Sequence, residues 1–225
     1  MQINKDKYNG YAVYSGDKKP LGIVSINGER MAVCNVRTLP KILKQYLIAI
    51  EDRRFYHHGA LDIKGIIRAL YENFKAGKVV QGGSTITQQL ARNILRDTRK
   101  NIVRKLKEIS LAIILENKYS KDEILELYFN KVFWGKKIYG LRAASLEYFS
   151  KEPQHLNTAE QLALLTFLRG PNYYLNNEER FFKRYLLLSH TLYKQRVLSQ
   201  KKISKIKKAE IRIHNNDLEV FRNDS

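Results

Sequence analysis

The apolar residues of this chain change their spacing once, near Thr38. Before that point LGIVSI and ERMAVCNV flank Asn27-Gly28, a pair that closes hairpins readily, which predicts strands between residues 11 and 36. Beyond it the apolar residues recur every three or four positions, the spacing of one face of an α-helix. The prediction is a mainly α fold of about eight to ten helices with a small N-terminal β-hairpin.

Local signals place the helices. Pro40 suits a helix start, and Ile42, Leu43, Tyr46, Leu47 and Ile50 make one apolar face that carries Glu51-Asp52 to the helix end, before Gly59. A second helix is expected from near Asp62 to Gly77, with Ile63, Ile66, Ile67, Leu70, Tyr71 and Phe74 on one side. Ser84 or Thr85 can cap a third to about Leu95, and Asp97 or Thr98 a fourth to about Asn117. Ser120 with Glu123, and Thr158 with Gln161, fit the capping box, so helices should begin near Lys121 and Ala159. Gly140 should separate two short helices, and a long one should span Glu178 to Ser199. The run Ile109 to Leu115 is apolar on every face, which predicts that its helix is central. The chain divides into a hairpin segment (1–37), a main domain (38–200) and a basic tail (201–225), without repeat or linker.

Charge narrows the partner. Lys and Arg number 41 against 22 Asp and Glu, a formal charge of +19, which points to nucleic acid, an anionic membrane surface or a phosphorylated substrate. With 44% hydrophobic residues, 12 Gly and 4 Pro, disorder and collagen-like structure are excluded. Cys34 is alone, so there is no intramolecular disulfide framework or multi-cysteine zinc site, and the five His form no HExxH pattern. No apolar run reaches the 18 or more residues of a membrane span, and MQINKDKYNG is unlike a signal peptide.

Four segments carry more polar chemistry than a structural helix needs. In EDRRFYHHG (51–59) two carboxylates close an apolar helix, where the helix dipole disfavours them. In QGGSTITQQLARN (81–93) two glycines lead into a hydroxyl-rich helix start able to hold an anion, though without the Lys-Ser/Thr of a Walker loop. In RKLKEISLAIILE (104–116) Glu108 stands one turn from Arg104 at the mouth of an apolar helix. The fourth, ILELYFNKVFWGKKIYG (124–140), is explained mostly by core packing. Taken singly, an exposed helix end, a capped helix and a solvated ion pair account for the first three as well as a site does.

In this order the segments, with the second as GGSTITQQLARN (82–93), the fourth extended to KDEILELYFNKVFWGKKIYG (121–140) and TAEQLALLTFLRGPNYY (158–174) added, resemble the five motifs of the family 51 glycosyltransferases, the peptidoglycan glycosyltransferases that polymerise lipid II. The resemblance runs from about residue 38 to 200. It implies a lysozyme-like, bilobal, mainly α fold. It also implies transfer of a donor N-acetylmuramic acid to the 4-hydroxyl of an acceptor N-acetylglucosamine, inverting to β-1,4, with undecaprenyl pyrophosphate leaving. Such a step needs a base for the hydroxyl and cationic help for the leaving group. By motif position Glu51 matches the general base and Glu108 the second acidic residue. Asp52, Phe55, His58, Ser84, Thr85, Gln88, Gln89 and Asn93 fall where the family shapes its cleft, and Arg92, Lys100, Arg104 and Lys105 where it binds pyrophosphate.

Some members use a divalent cation at the pyrophosphate, so the resemblance implies Mg or Mn, although no motif here spells a metal site. It implies lipid II and the growing glycan strand as partners, an anionic membrane surface, other cell-wall synthesis proteins, no nucleic acid, and the outer face of the bacterial cytoplasmic membrane. Members carry an N-terminal membrane helix that this sequence does not show, and no transpeptidase domain fits after residue 200; the chain resembles the monofunctional form, or the excised glycosyltransferase domain of a class A penicillin-binding protein. Residues 60–80, which in the family touch the bilayer, mix hydrophobes with Lys64, Arg68, Lys75 and Lys78, as peripheral docking on anionic lipid would require. Two rivals are a lysozyme-like hydrolase, which would shorten glycan instead of lengthening lipid II, and a nucleic-acid-binding module, which leaves the carboxylates unexplained.

Overall fold

The computed structural model describes residues 3–6, 10–14, 20–25, 29–32, 39–78, 82–97, 99, 101–207, 211 and 213. The Asn27-Gly28 turn, Cys34, Thr98, Lys100 and most of the basic tail beyond residue 207 lie outside the described residues. The chain divides into two compact units: one of residues 1–46 with 132–225, and one of residues 47–131. The fold is mainly α, as the spacing predicts.

The first unit holds a five-stranded sheet in sequential order, β1 (Ile3–Asp6), β2 (Gly10–Tyr14), β3 (Pro20–Ser25), β4 (Arg30–Met31) and β5 (Ile138–Tyr139). The expected pairing across residues 26–28 is present, with Ile23 opposite Met31 and Val24 opposite Arg30. The sheet is nonetheless more than a hairpin, because β5 joins β4 in parallel from more than a hundred residues away. Gly140 therefore separates a strand from a helix, α6 (Leu141–Phe149), not two helices. Positive φ at Gly135, Lys136 and Lys137 makes the tight turn that delivers β5. A Cβ at Gly135 would stand 2.8 Å from Leu175 Cδ1, so both conformation and space call for glycine there.

The core of this unit is α7 (Thr158–Phe167), in which every residue from Gln161 to Phe167 is buried. Around it lie α8 (Pro171–Leu175), α9 (Glu178–Lys194) and α10 (Gln200–Lys207). Rings of Tyr148, Phe167 and Phe181 succeed one another at 5.5 and 5.2 Å, and the buried Tyr148 hydroxyl donates to Trp134 O at 2.8 Å. Three boundaries differ from expectation. The α7 capping box uses Asn157 and Glu160, one residue early, because Gln161 points inward and donates to Leu156 O. Helix α9 stops at Lys194, and a separate α10 follows that buries Ile203 and Ile206.

The second unit starts at the end of α1 (Lys41–Glu51) and continues through a 3₁₀ turn (Phe55–His57), α2 (Ile63–Ala76), α3 (Ile86–Leu95), α4 (Ile102–Lys118) and α5 (Lys121–Lys131). Helix α3 packs against both α4 and α5. The cap of α4 is Asn101, whose side chain accepts from Arg104 N, in place of Asp97 or Thr98. The expected central role of α4 fails: only Glu108, Ala112 and Leu115 are buried, while Ile102, Val103, Leu106, Ile113 and Ile114 are exposed. In α2 the boundaries at Asp62 and Gly77 are as predicted. Its apolar side faces outward, however, with Ile63, Ile67, Leu70 and Tyr71 exposed and Phe74 at 88%. Gly65 and Ala69 are the buried positions, and a Cβ at Gly65 would run into Asp62 Oδ2 at the helix start.

Candidate active site

Every described residue of the predicted site lies in the second unit. Glu51 ends α1 and is 7% exposed. Its Oε2 accepts from Gln89 Nε2 on α3 at 2.9 Å, and Gln89 Oε1 accepts from the Tyr128 hydroxyl on α5 at 2.9 Å. Asn93, one turn further along α3, donates to Gln89 O.

Asp52 locks the turn after Glu51. Its Oδ1 lies 2.7 Å from His58 Nε2, and its Oδ2 accepts the backbone N–H of Ile86, the first residue of α3, at 3.0 Å. The carboxylate disfavoured at the end of α1 thus faces the positive end of another helix dipole. Thr85 caps α3 in a reciprocal box with Gln88, and its hydroxyl donates to Ala60 O at 2.9 Å. Asp52, Thr85 and Gln88 are therefore buried and tied into holding motif against motif. Phe55 is fully buried, with Lys121 Nζ 4.5 Å from its ring centre, and Tyr56 donates to Asp122.

The other acid has a different setting. Glu108 is fully buried on α4 and holds three cations: Arg92 Nε at 2.7 Å, Arg104 through Nη1, and Lys105 Nζ at 3.4 Å. Arg92 retains 45% of its side-chain exposure and Lys105 37%, so both reach solvent while anchored at the carboxylate. Lys105 Nζ also lies 3.3 Å from Ser84 Oγ and from Gln88 Oε1. Three cations on one carboxylate leave two positive charges over. Partial burial, reinforced by Arg92 and Arg104, lowers the Lys105 pKa; burial likewise lowers that of Arg92, against the influence of Tyr128.

Among the described residues one group has metal-ligating composition, Asp52, His58 and Asp62, with ligand atoms within 4.8 Å of one another. Its donors are already committed. Both Asp52 oxygens face protein partners, Asp62 lies 3.4 Å from Arg54, and His58 Nδ1 lies 2.7 Å from Gly59 O. Both ring nitrogens thus face acceptors, whereas a metal would need a ring lone pair. Glu108, the acid buried on α4, is ringed by cations that would repel a dication. These residues do not fit a resident metal.

Sequence reading passed over Tyr128, Lys121 and Glu116. Tyr128 lies in an aromatic run that reads as core, and Glu116, which accepts from Thr87 at 2.5 Å and pairs with Lys121 at 2.8 Å, reads as a solvated charge. Only the fold brings them to the motifs.

Residues 17–193 match the transglycosylase family. The chain is 42% identical over 152 residues to penicillin-binding protein 1F of Bacillus subtilis, across 68% of this chain and 21% of that protein. It is 37% identical over 183 residues to penicillin-binding protein 1A of Neisseria flavescens, across 80% of this chain and 23% of the relative. The fold resembles the crystal structure of penicillin-binding protein 1A from Haemophilus influenzae, with a TM-score of 0.50 at 20% identity over 90% of this chain and 20% of that one. The chain thus spans between a fifth and a quarter of the length of these relatives. With the match covering most of its length and the first three motifs lying together in one unit, the chain belongs to the transglycosylase family, the peptidoglycan glycosyltransferases that its motifs resemble.

Proposed function

We propose that this chain lengthens glycan from lipid II, with Glu51 as general base and the Arg92–Arg104–Lys105 cluster binding the leaving pyrophosphate. The observation that carries this reading is the contrast between the two buried acids. The Glu51 carboxylate accepts from a neutral amide, whereas Glu108 is engaged by three cations, so the proton-accepting role is given to Glu51 and the anchoring role to Glu108. Glu51 takes the proton of the acceptor 4-hydroxyl as the new bond to C1 forms from the face opposite the phosphate. The C1–O bond breaks, its electron pair leaves with undecaprenyl pyrophosphate, and the cations stabilise the growing charge. Arg92 and Arg104 offer forks of donors to phosphate oxygens, and Glu108 keeps them together before substrate arrives. The test is incubation with labelled lipid II: wild type forms polymer, and Glu51→Gln slows it by about 10²- to 10⁴-fold, as loss of a general base does. Shortening of preformed glycan without polymer would instead indicate a hydrolase.

The substrate's lipid tail requires this site to work at a bilayer surface. No helix among the described residues is long and apolar enough to cross a membrane. Helix α2 supplies a surface device instead, with Ile63, Ile67, Leu70, Tyr71 and Phe74 exposed among exposed Lys64, Arg68 and Lys75. Each basic residue near an anionic surface contributes about 1 kcal/mol and is screened by salt, while the apolar part is not. Anionic vesicles should bind better than neutral ones, with a salt-resistant remainder that the double change Ile67→Ser and Phe74→Ser removes. Equal binding to both vesicle types, insensitive to salt, would remove the electrostatic part.

A further inference from the structure

We propose that Tyr128 is a positioning residue for Glu51, acting through Gln89 by the chain of hydrogen bonds from the phenol to the amide to the carboxylate. This rests on the reading of Glu51 as the base. The chain joins three elements of one unit: α5 supplies Tyr128, α3 supplies Gln89 and the end of α1 supplies Glu51, with 2.9 Å at both links. Tyr128 is 1% exposed, and its ring packs edge-on against Phe129 at 6.2 Å, so the hydroxyl is held rigidly in place.

The chemistry of the middle group gives the chain its direction. A glutamine amide presents a donor on one side and an acceptor on the other, and turning it over exchanges them. An ionised Glu51 only accepts, so Gln89 must show it the NH₂ group and therefore shows its carbonyl oxygen to Tyr128. The phenol satisfies that oxygen by donating. Successive bonds of this kind polarise one another in a low-dielectric setting, so donation by Tyr128 strengthens the N–H donated to Glu51. The turned amide would set a carbonyl oxygen against a carboxylate oxygen, which like charges forbid until Glu51 has taken a proton. Tyr128 thereby favours the ionised, correctly aimed base that must exist before the acceptor hydroxyl attacks.

Tyr128→Phe keeps the ring and deletes the donor. It should lower kcat by about threefold to tenfold, the range of one hydrogen bond, with KM for lipid II little changed. It should also move the acidic limb of the kcat/KM profile to higher pH, because the carboxylate is less well stabilised. Replacing Tyr128 with 3-fluorotyrosine, a stronger donor of similar size, should move the same limb to lower pH. A packing role would not produce opposite shifts. With Gln89→Met in place the link is cut, and Tyr128→Phe should then leave the limb where it is. The proposal is overturned if the limb is fixed in both Tyr128 variants, or if Tyr128→Phe shifts it equally with and without Gln89. Glu51→Gln separates the two levels. Near-normal polymerisation by that variant removes the base reading and this one together, whereas an inactive Glu51→Gln beside an unshifted Tyr128→Phe removes only the relay. Should Tyr128→Phe melt below the assay temperature, the fluorotyrosine arm decides alone.

Discussion

The surroundings of Glu51 and of Glu108 are built from neighbouring helices of one unit, yet they solve opposite problems. At Glu51 the structure buries a carboxylate that accepts from the neutral amide of Gln89. At Glu108 it buries a carboxylate more deeply and gives it three cations, two of which remain open to solvent. Burial alone therefore says little about what an acid does. Its partners decide, because a neutral amide favours the ionised form only modestly, while guanidinium and ammonium groups favour it strongly and acquire a fixed position in return.

The largest expected effect breaks this comparison at its first term. Glu51→Gln should lose turnover while keeping the wild-type melting temperature and lipid II affinity. A variant that melts early would mean that Glu51 is structural. Glu108→Gln should do the reverse in one respect. Removing the negative charge leaves three cations crowded together, so the protein should lose about 1–3 kcal/mol of stability, toward the lower end because Arg92 and Lys105 are partly solvated. Thermal unfolding of the two variants side by side checks the contrast, and inorganic pyrophosphate should protect wild type more than Glu108→Gln.

Next come the cations themselves. Arg92→Ala or Arg104→Ala should cut lipid II turnover by about tenfold or more, and Lys at either position should restore only part, since it is a point charge without the planar fork. Wild-type kinetics in both Ala variants would place the pyrophosphate elsewhere. The smallest effect is a pH dependence. Burial and two neighbouring cations lower the Lys105 pKa, so this ammonium is lost at a lower pH than an ordinary lysine's. Pyrophosphate affinity should fall on the alkaline side across that window. Stability of the ligand-free protein should rise across it, because there the unfolded chain still binds a proton that the folded one has released. Titration of pyrophosphate binding in wild type and Lys105→Met would show the alkaline limb disappear in the variant.

Much of this was legible in the chain, for identifiable reasons. Helix α2 is capped by Asp62 and Gly77 as read, because glycine takes the left-handed conformation after a helix without a Cβ penalty and the sequence shows one there. The i,i+4 spacing of Arg104 and Glu108 likewise became an ion pair. Less legible was what covers an apolar face. The run in α4 looked central and proved half exposed, while α7, of which only the capping signal was read, is the buried helix. Hydrophobicity records that a surface avoids water, not which neighbour shields it. Tyr128 was illegible for a related reason: a tyrosine among aromatics has the composition of a core, and its hydroxyl finds Gln89 only after α3 and α5 have packed.

The two bonds that tie Thr85 to Ala60 and Ile86 to Asp52 have a mechanical meaning. They clasp the chain at Ala60 and at Thr85–Ile86, one on each side of α2, so the two ends of the segment that carries this helix are fixed close to Asp52. Substitutions on the outward face of α2 should therefore leave the turn after Glu51, and the aim of its carboxylate, undisturbed.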